Sequence, residues 1–239
     1  MSTIYAPAGR AGEYGELAVN LFRGCTHGCS YCYVPGATRT SRDKFNGNVV
    51  QGSNVIKNIA KDAPKYKGQE VFFCFTCDPY PVNDPGALAR QAIEILHANG
   101  VKVRILTKAG TRATRDFDLL AKHPELSAYG VTLTFDNEVD SLEWEPGAAS
   151  PSERIESLKL AHKLGIPTWV SMEPVIVPKQ TLKLISKTHK FVDLYKIGKW
   201  NHDARAKDID WGKFGHEAIA LCEKYGKEYY IKTDLKKYL

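Results

Sequence analysis

Cys25, Cys29 and Cys32 stand in the run Arg23-Gly24-Cys25-Thr26-His27-Gly28-Cys29-Ser30-Tyr31-Cys32-Tyr33. The spacing C-x3-C-x2-C brings three thiolates from one short loop, enough to hold a [4Fe–4S] cluster by three of its irons and leave one corner open to a small molecule. A zinc site is the competing reading. Zinc sites take four Cys or His ligands, and His27 would be the fourth, but it sits between two of the cysteines, where a tetrahedral site is cramped. A disulfide framework fits less well, because a chain of 239 residues can bury a core without staples.

A loop of this kind needs a scaffold. Short β-rich runs alternate with helix-period stretches, the pattern of βα units and a parallel sheet. Six strands are expected, at residues 17–22, 70–75, 101–106, 129–135, 168–172 and 191–197. Between them lie apolar helix faces made by Val55, Ile59 and Ala63, by Leu88, Ala92 and Ile95, by Phe117 and Leu120, and by Ile155, Leu158 and Ala161. Gly100, Gly165 and Gly226 stand where helices end in a left-handed residue. Ser150-Pro151-Ser152-Glu153 reads as a capping box, which leaves Arg154 to face elsewhere. The acidic stretch from Asp136 to Glu145 reads as a solvated loop.

Composition is that of an ordinary globular chain, with 43% hydrophobic and 25% charged residues. No apolar run approaches a membrane span, and the start lacks a signal-peptide pattern. A cytoplasmic, reducing location is therefore expected. The net charge of +6 favours an anionic partner such as nucleic acid. One domain is expected over 1–239, with a core at about 17–200 and a C-terminal helix and basic, aromatic tail at 201–239.

With an aromatic residue directly before the third cysteine, the loop resembles the signature of the radical S-adenosylmethionine (radical SAM) superfamily, within it the spore photoproduct lyase-like branch. Further matches are Thr107-Lys108, Glu145-Pro146-Gly147 leading into Ser150 to Ile155, and Glu173-Pro174-Val175. They span residues 17 to about 178. The resemblance implies an α/β fold, a partial (β/α)6 TIM-like barrel with the cluster loop after the first strand, whose reactive groups gather at the carboxyl ends of the strands.

It also implies roles. Cys25, Cys29 and Cys32 would hold the cluster. Thr76 and Asp78 would receive the amine of SAM, while Lys108 and Thr132 would face its carboxylate. Tyr31 would lie against the adenine, Thr134 and Arg154 join the cofactor set, and Glu173 would take the ribose or the substrate. Cys77 would give a hydrogen atom to the product radical, with Cys74 a weaker candidate and Cys222 a core residue.

The implied activity is reductive cleavage of SAM to a 5′-deoxyadenosyl radical, fed by an electron donor such as flavodoxin or ferredoxin. The radical would abstract hydrogen from a substrate, here a nucleic-acid base or DNA photolesion. The cationic and aromatic tail from Lys196 to Lys237 is suggestive of that substrate, although a solvated basic face over core aromatics is the reading its sequence slightly favours. The lyases are longer, with added N-terminal sequence and a C-terminal hairpin, which keeps a small molecule or nucleoside open as the alternative. A non-catalytic metal-binding module that holds nucleic acid is the reading from another class.

Overall fold

The computed structural model describes residues 3–84 and 86–239. Strand β1 (Leu17–Val19) leads into a small module. It holds β2 (Phe22–Arg23), the cysteine loop, helices α1 (Val34–Ala37) and α2 (Arg42–Gly47), and β3 (Val50–Gln51), which pairs antiparallel with β2. Helix α3 (Val55–Asp62) returns the chain to β4 (Glu70–Phe73), and α4 (Leu88–Ala98) to β5 (Lys102–Thr107). Helix α5 (Phe117–Lys122) precedes β6 (Ser127–Thr132); α6 (Glu138–Trp144) and α7 (Pro151–Lys163) precede β7 (Thr168–Met172). Then follow α8 (Pro178–Thr188), β8 (Leu194–Ile197), α9 (Trp211–Lys224), β9 (Glu228–Ile231) and α10 (Thr233–Lys236).

Seven strands form one parallel sheet in the order β1-β4-β5-β6-β7-β8-β9. Each strand lies beside its predecessor, so the sheet curls one way into an open, TIM-like barrel. Alternation sorts the side chains. Val71, Phe73, Val103, Ile105, Tyr129, Val131, Val170 and Ile197 join the helices in the main core, while Ala18, Phe72 and Trp169 pack together on the other face. Gly130 permits that packing: a Cβ there would lie 2.3 Å from the Trp169 ring, and overpacking of this kind costs about 1–3 kcal/mol.

The capping box forms as expected. Ser150 accepts from the Glu153 amide, and the Glu153 carboxylate accepts from the Ser150 amide at 2.8 Å. Gly100, Gly165 and Gly226 all have positive φ. Three expectations change. The first predicted strand is cut at Val19, because Phe22 and Arg23 turn away to pair with β3. The acidic stretch is helix α6, capped by Asn137, and its last carboxylate, Glu145, is buried rather than solvated. The tail adds a seventh strand, β9, whose four residues and exposed tyrosines give little strand signal.

Candidate functional site

The carboxyl ends of the strands open into a cavity of about 540 Å³. Cys25, Cys29 and Cys32 line it together with Cys77, Lys108 and Glu173. All three loop cysteines are free.

The loop is held from several sides. Gly24 has φ +89°, and a Cβ on it would meet the carbonyls of Phe45 and Asn48 at 2.7 Å, so only glycine lets α2 approach. Cys25 donates its amide to Phe45 at 3.1 Å. From the opposite side comes the segment 144–147. Ser30 donates its amide to the Trp144 carbonyl at 2.8 Å, and Gly147 donates to the His27 carbonyl at 2.9 Å. A Cβ at Gly147 would lie 2.1 Å from the Thr26 carbonyl, so this contact too requires glycine.

His27 is not a spare ligand. Its Nε2 lies 2.8 Å from Asp78 and its Nδ1 lies 3.1 Å from the Gly147 carbonyl, so both ring nitrogens are engaged. Among the described residues no group of three His, Cys, Asp or Glu converges on a single ion. With its ring held by Asp78 and Gly147, His27 is not free to serve as a fourth zinc ligand. Three free thiols lining one cavity are the donor set that a [4Fe–4S] cluster would take.

Burial pushes the Cys29 thiol up to about 11, against the pull of Lys108, and pushes Cys25 higher still. Any metal or cluster taken up on these thiols would have to displace their protons. In the cluster-free chain, Cys29 is expected to be alkylated more slowly than half-buried Cys32 at about pH 8, its rate rising about tenfold per pH unit up to about pH 11. Peptide mass spectrometry over a pH series reads this directly; a Cys29 profile that levels off at about pH 8.5, the ordinary thiol value, would mean the loop opens to solvent.

Of the residues assigned to SAM by resemblance, Tyr31, Thr76, Asp78, Lys108, Thr132 and Glu173 line the cavity, whereas Thr134 and Arg154 do not. Lys108 Nζ sits 5.6 Å from the Tyr31 ring centre and has no carboxylate within ion-pairing distance among the described residues. Thr134 is fully buried, 3.4 Å below the Tyr31 hydroxyl. Arg154 spends its guanidinium on the Ala149 carbonyl at 2.8 Å, the Thr132 carbonyl at 3.0 Å and the Glu145 carboxylate at 2.5 Å. It is a buried strut, and the expectation that it faces the cofactor is corrected.

Asp78 lines the cavity, but its carboxylate is shared among protein donors. Its carboxylate accepts from Thr107 Oγ1 at 2.7 Å, from the amide of Lys108 at 2.9 Å and from the amide of Tyr80 at 2.9 Å, besides facing His27. Burial opposes its charge, but His27 and these amides hold the carboxyl far below the usual range. With its lone pairs committed, Asp78 knits the cysteine loop to the ends of β4 and β5 rather than receiving an amine.

Glu145 carries the matching task on the far side. Burial alone would raise its carboxyl, yet Arg154 and then Lys108 outweigh that and hold it below the usual range. It also accepts from the Tyr31 hydroxyl. Glu173 is likewise pinned, by the Lys232 ammonium, by the Tyr14 hydroxyl at 3.0 Å and by Asn201 at 3.2 Å. Tyr14, Asn201 and Lys232 were outside the expected set; they come from segments far away in sequence, and no local motif marks them.

Cys77 faces the cavity, and Cys74 touches it from a left-handed backbone position at φ +71°. Burial, then a hydrogen bond with Cys77, push the Cys74 thiol well up. Cys222 is buried in the core, as expected. The tail is less of a surface than its sequence suggests: Lys196, Trp200, Trp211 and Lys232 are buried, while Lys199 and His202 reach the cavity.

Residues 19–192 match the sequence profile described as the Radical SAM superfamily. An uncharacterized protein of Acidianus two-tailed virus is 30% identical over 188 residues, covering 71% of this chain and 62% of that protein. An uncharacterized Mycobacterium tuberculosis protein is 28% identical over 67% of this chain and 50% of its own length. The chain thus spans about half to two-thirds of these relatives. A protein of Pseudomonas phage M6 named radical SAM Nalpha-GlyT isomerase is 26% identical over 64% of this chain and 31% of its own. Among solved structures, spore photoproduct lyase complexed with dinucleoside spore photoproduct superposes with TM-score 0.76 at 14% identity, covering 98% of this chain and 80% of that one. A lyase variant with bound AdoMet and the same dinucleoside gives TM-score 0.72 at 15% identity, covering 92% and 77%.

Proposed function

Because the chain belongs to the radical SAM superfamily, we propose that it holds a [4Fe–4S] cluster on Cys25, Cys29 and Cys32 and uses SAM to abstract hydrogen from a nucleobase. The observation that carries the reading is three free thiols lining one cavity with an unpaired lysine beside them. When bound and reduced, the cluster supplies the electron that splits SAM into methionine and a 5′-deoxyadenosyl radical. The chain's own residues bind, orient and exclude water.

Lys108 offers its ammonium to the SAM carboxylate, with Thr132 beside it. Tyr31 presents its ring to the adenine, held in place by Glu145. Thr76 keeps its hydroxyl for the amine, its amide being fixed by Asn20 at 3.0 Å. Glu173, at the end of β7, faces the ribose or the substrate. Cys77 is the cavity thiol placed to return a hydrogen atom to a product radical.

A base in nucleic acid is favoured as substrate on three grounds. The chain carries a net charge of +6. Exposed Tyr33 lies beside His202 on the cavity lining, 6.4 Å between ring centres. The spore photoproduct lyase whose fold this chain shares binds a dinucleoside, which supports the same reading. An electron donor such as flavodoxin or ferredoxin and a cytoplasmic site belong to this reading; no described helix is long and apolar enough to cross a membrane.

The test is anaerobic reconstitution, followed by reaction of the reduced protein and deuterated SAM with oligonucleotides, lesion-bearing DNA and free nucleosides. Label in an oligonucleotide supports the reading; label in nucleosides alone moves it to a small-molecule enzyme, and a colourless zinc protein ends it. Within this reading, Lys108→Ala is expected to retain iron while SAM affinity falls about tenfold, roughly 1.4 kcal/mol. Calorimetric titration checks it, and unchanged affinity would remove the carboxylate contact.

A further inference from the structure

An exposed arginine that takes no part in lining the cavity reaches the backbone of the cysteine loop. Arg42, at the start of α2, donates to the Cys29 carbonyl at 3.1 Å and to the Cys32 carbonyl at 3.0 Å. The thiols of the same two cysteines line the cavity. One face of the loop therefore addresses the reaction chamber, and the other meets solvent through a guanidinium.

The module around Arg42 is strongly cationic. Between β2 and β3 it carries Arg23, Arg39, Arg42 and Lys44 against a single carboxylate, Asp43, and all five are exposed. None of the four cations makes an ion pair among the described residues, whereas elsewhere exposed Arg205 and half-buried Arg90 are paired. Cys25 and Gly24 pack directly on α2, so this charge is fixed to the loop rather than carried on a free strand.

We propose that this face, centred on Arg42 and flanked by Arg23, Arg39 and Lys44, docks an acidic one-electron carrier protein. The inference rests on the cluster reading above and extends it to a partner surface. One electron leaves the reduced carrier and enters the oxidised cluster; no bond forms and no proton moves. Docking behind the loop leaves the cavity free, so carrier, SAM and substrate can be bound together. Unneutralised charge of one sign also raises the encounter rate with an oppositely charged protein in a salt-dependent way.

The experiment uses the reconstituted chain and reduced flavodoxin as the acidic probe, with Arg39→Glu/Lys44→Glu as the variant. Both positions are exposed and unpaired, so the fold is expected to be unaffected. Stopped-flow bleaching of the cluster should show the variant reduced about tenfold or more slowly than the parent at low salt, with the parent's advantage vanishing as salt rises. Reduction by methyl viologen radical, a small cation, should not slow. Calorimetry of oxidised flavodoxin with the cluster-free chain should show the same loss of about tenfold in affinity. Equal rates and affinities in parent and variant would overturn the proposal, as would a variant that loses oligonucleotide binding while its flavodoxin kinetics stay intact. A parent that takes up no iron would instead overturn the cluster reading, and the calorimetric arm keeps the two failures apart.

Discussion

Cys29→Ala is expected to abolish cluster retention and SAM cleavage together: iron falls from about four per chain to background, and the visible absorbance is lost. Cys29 is the buried member of the triad, and nothing nearby can replace its sulfur. His27 has both nitrogens committed to Asp78 and Gly147. Cys77 lines the same cavity but stands after β4, on a separate segment, and its thiol is hydrogen-bonded with Cys74. Two thiolates leave two corners of a cubane exposed to water and chelators, and such a cluster does not survive gel filtration. Folding is not the cause of the loss, since removal of one sulfur from a core position costs on the order of 1 kcal/mol. Cys222→Ala provides the control. It deletes an equally buried thiol on the inner face of α9 and should keep full iron content. Iron and colour retained in Cys29→Ala would refute the triad as the cluster site.

That the three cysteines would share one cavity was legible because the information is local: three thiols within eight residues need no knowledge of the tertiary fold. The capping box at Ser150 and the glycine helix ends were legible for the same reason. Strand ends could be placed because parallel βα units put reactive groups at the carboxyl side of each strand, and five of the cofactor positions so chosen do reach the cavity. What failed was the distinction between a polar residue that faces a ligand and one that holds another residue. Asp78 and Arg154 have the right types at the right ends of elements, but partners 51 residues back at His27 and nine residues back at Glu145 use them up. Lys232 was invisible as a site residue because it reaches Glu173 across 59 residues from a tail whose charges read as solvated.

Glu145→Ala is expected to give the largest loss of stability among single changes near the site, about 3–5 kcal/mol in urea unfolding of the cluster-free chain. Arg154 is 1% exposed. Without Glu145 its charge is left in the core with two carbonyls for company, and a buried ion without its counterion is far costlier than the pair was worth. Because the Glu145 carboxyl is held below its ordinary value, its contribution is fully present at neutral pH and fades as pH falls through the carboxylate range below about 4.3. The parent should therefore lose stability on acidification there, and the variant should lose less. Glu145→Leu/Arg154→Met separates packing from function. Replacing both charges by apolar groups removes the orphaned ion, so most of the lost stability should return. Tyr31 would still lack its acceptor, so SAM affinity should remain low in the double variant even though the fold is restored. A double variant that regains stability and SAM binding alike would show that Glu145 serves the core alone and that the Tyr31 ring needs no anchor; a single variant as stable as the parent would show that Arg154 finds its compensation elsewhere.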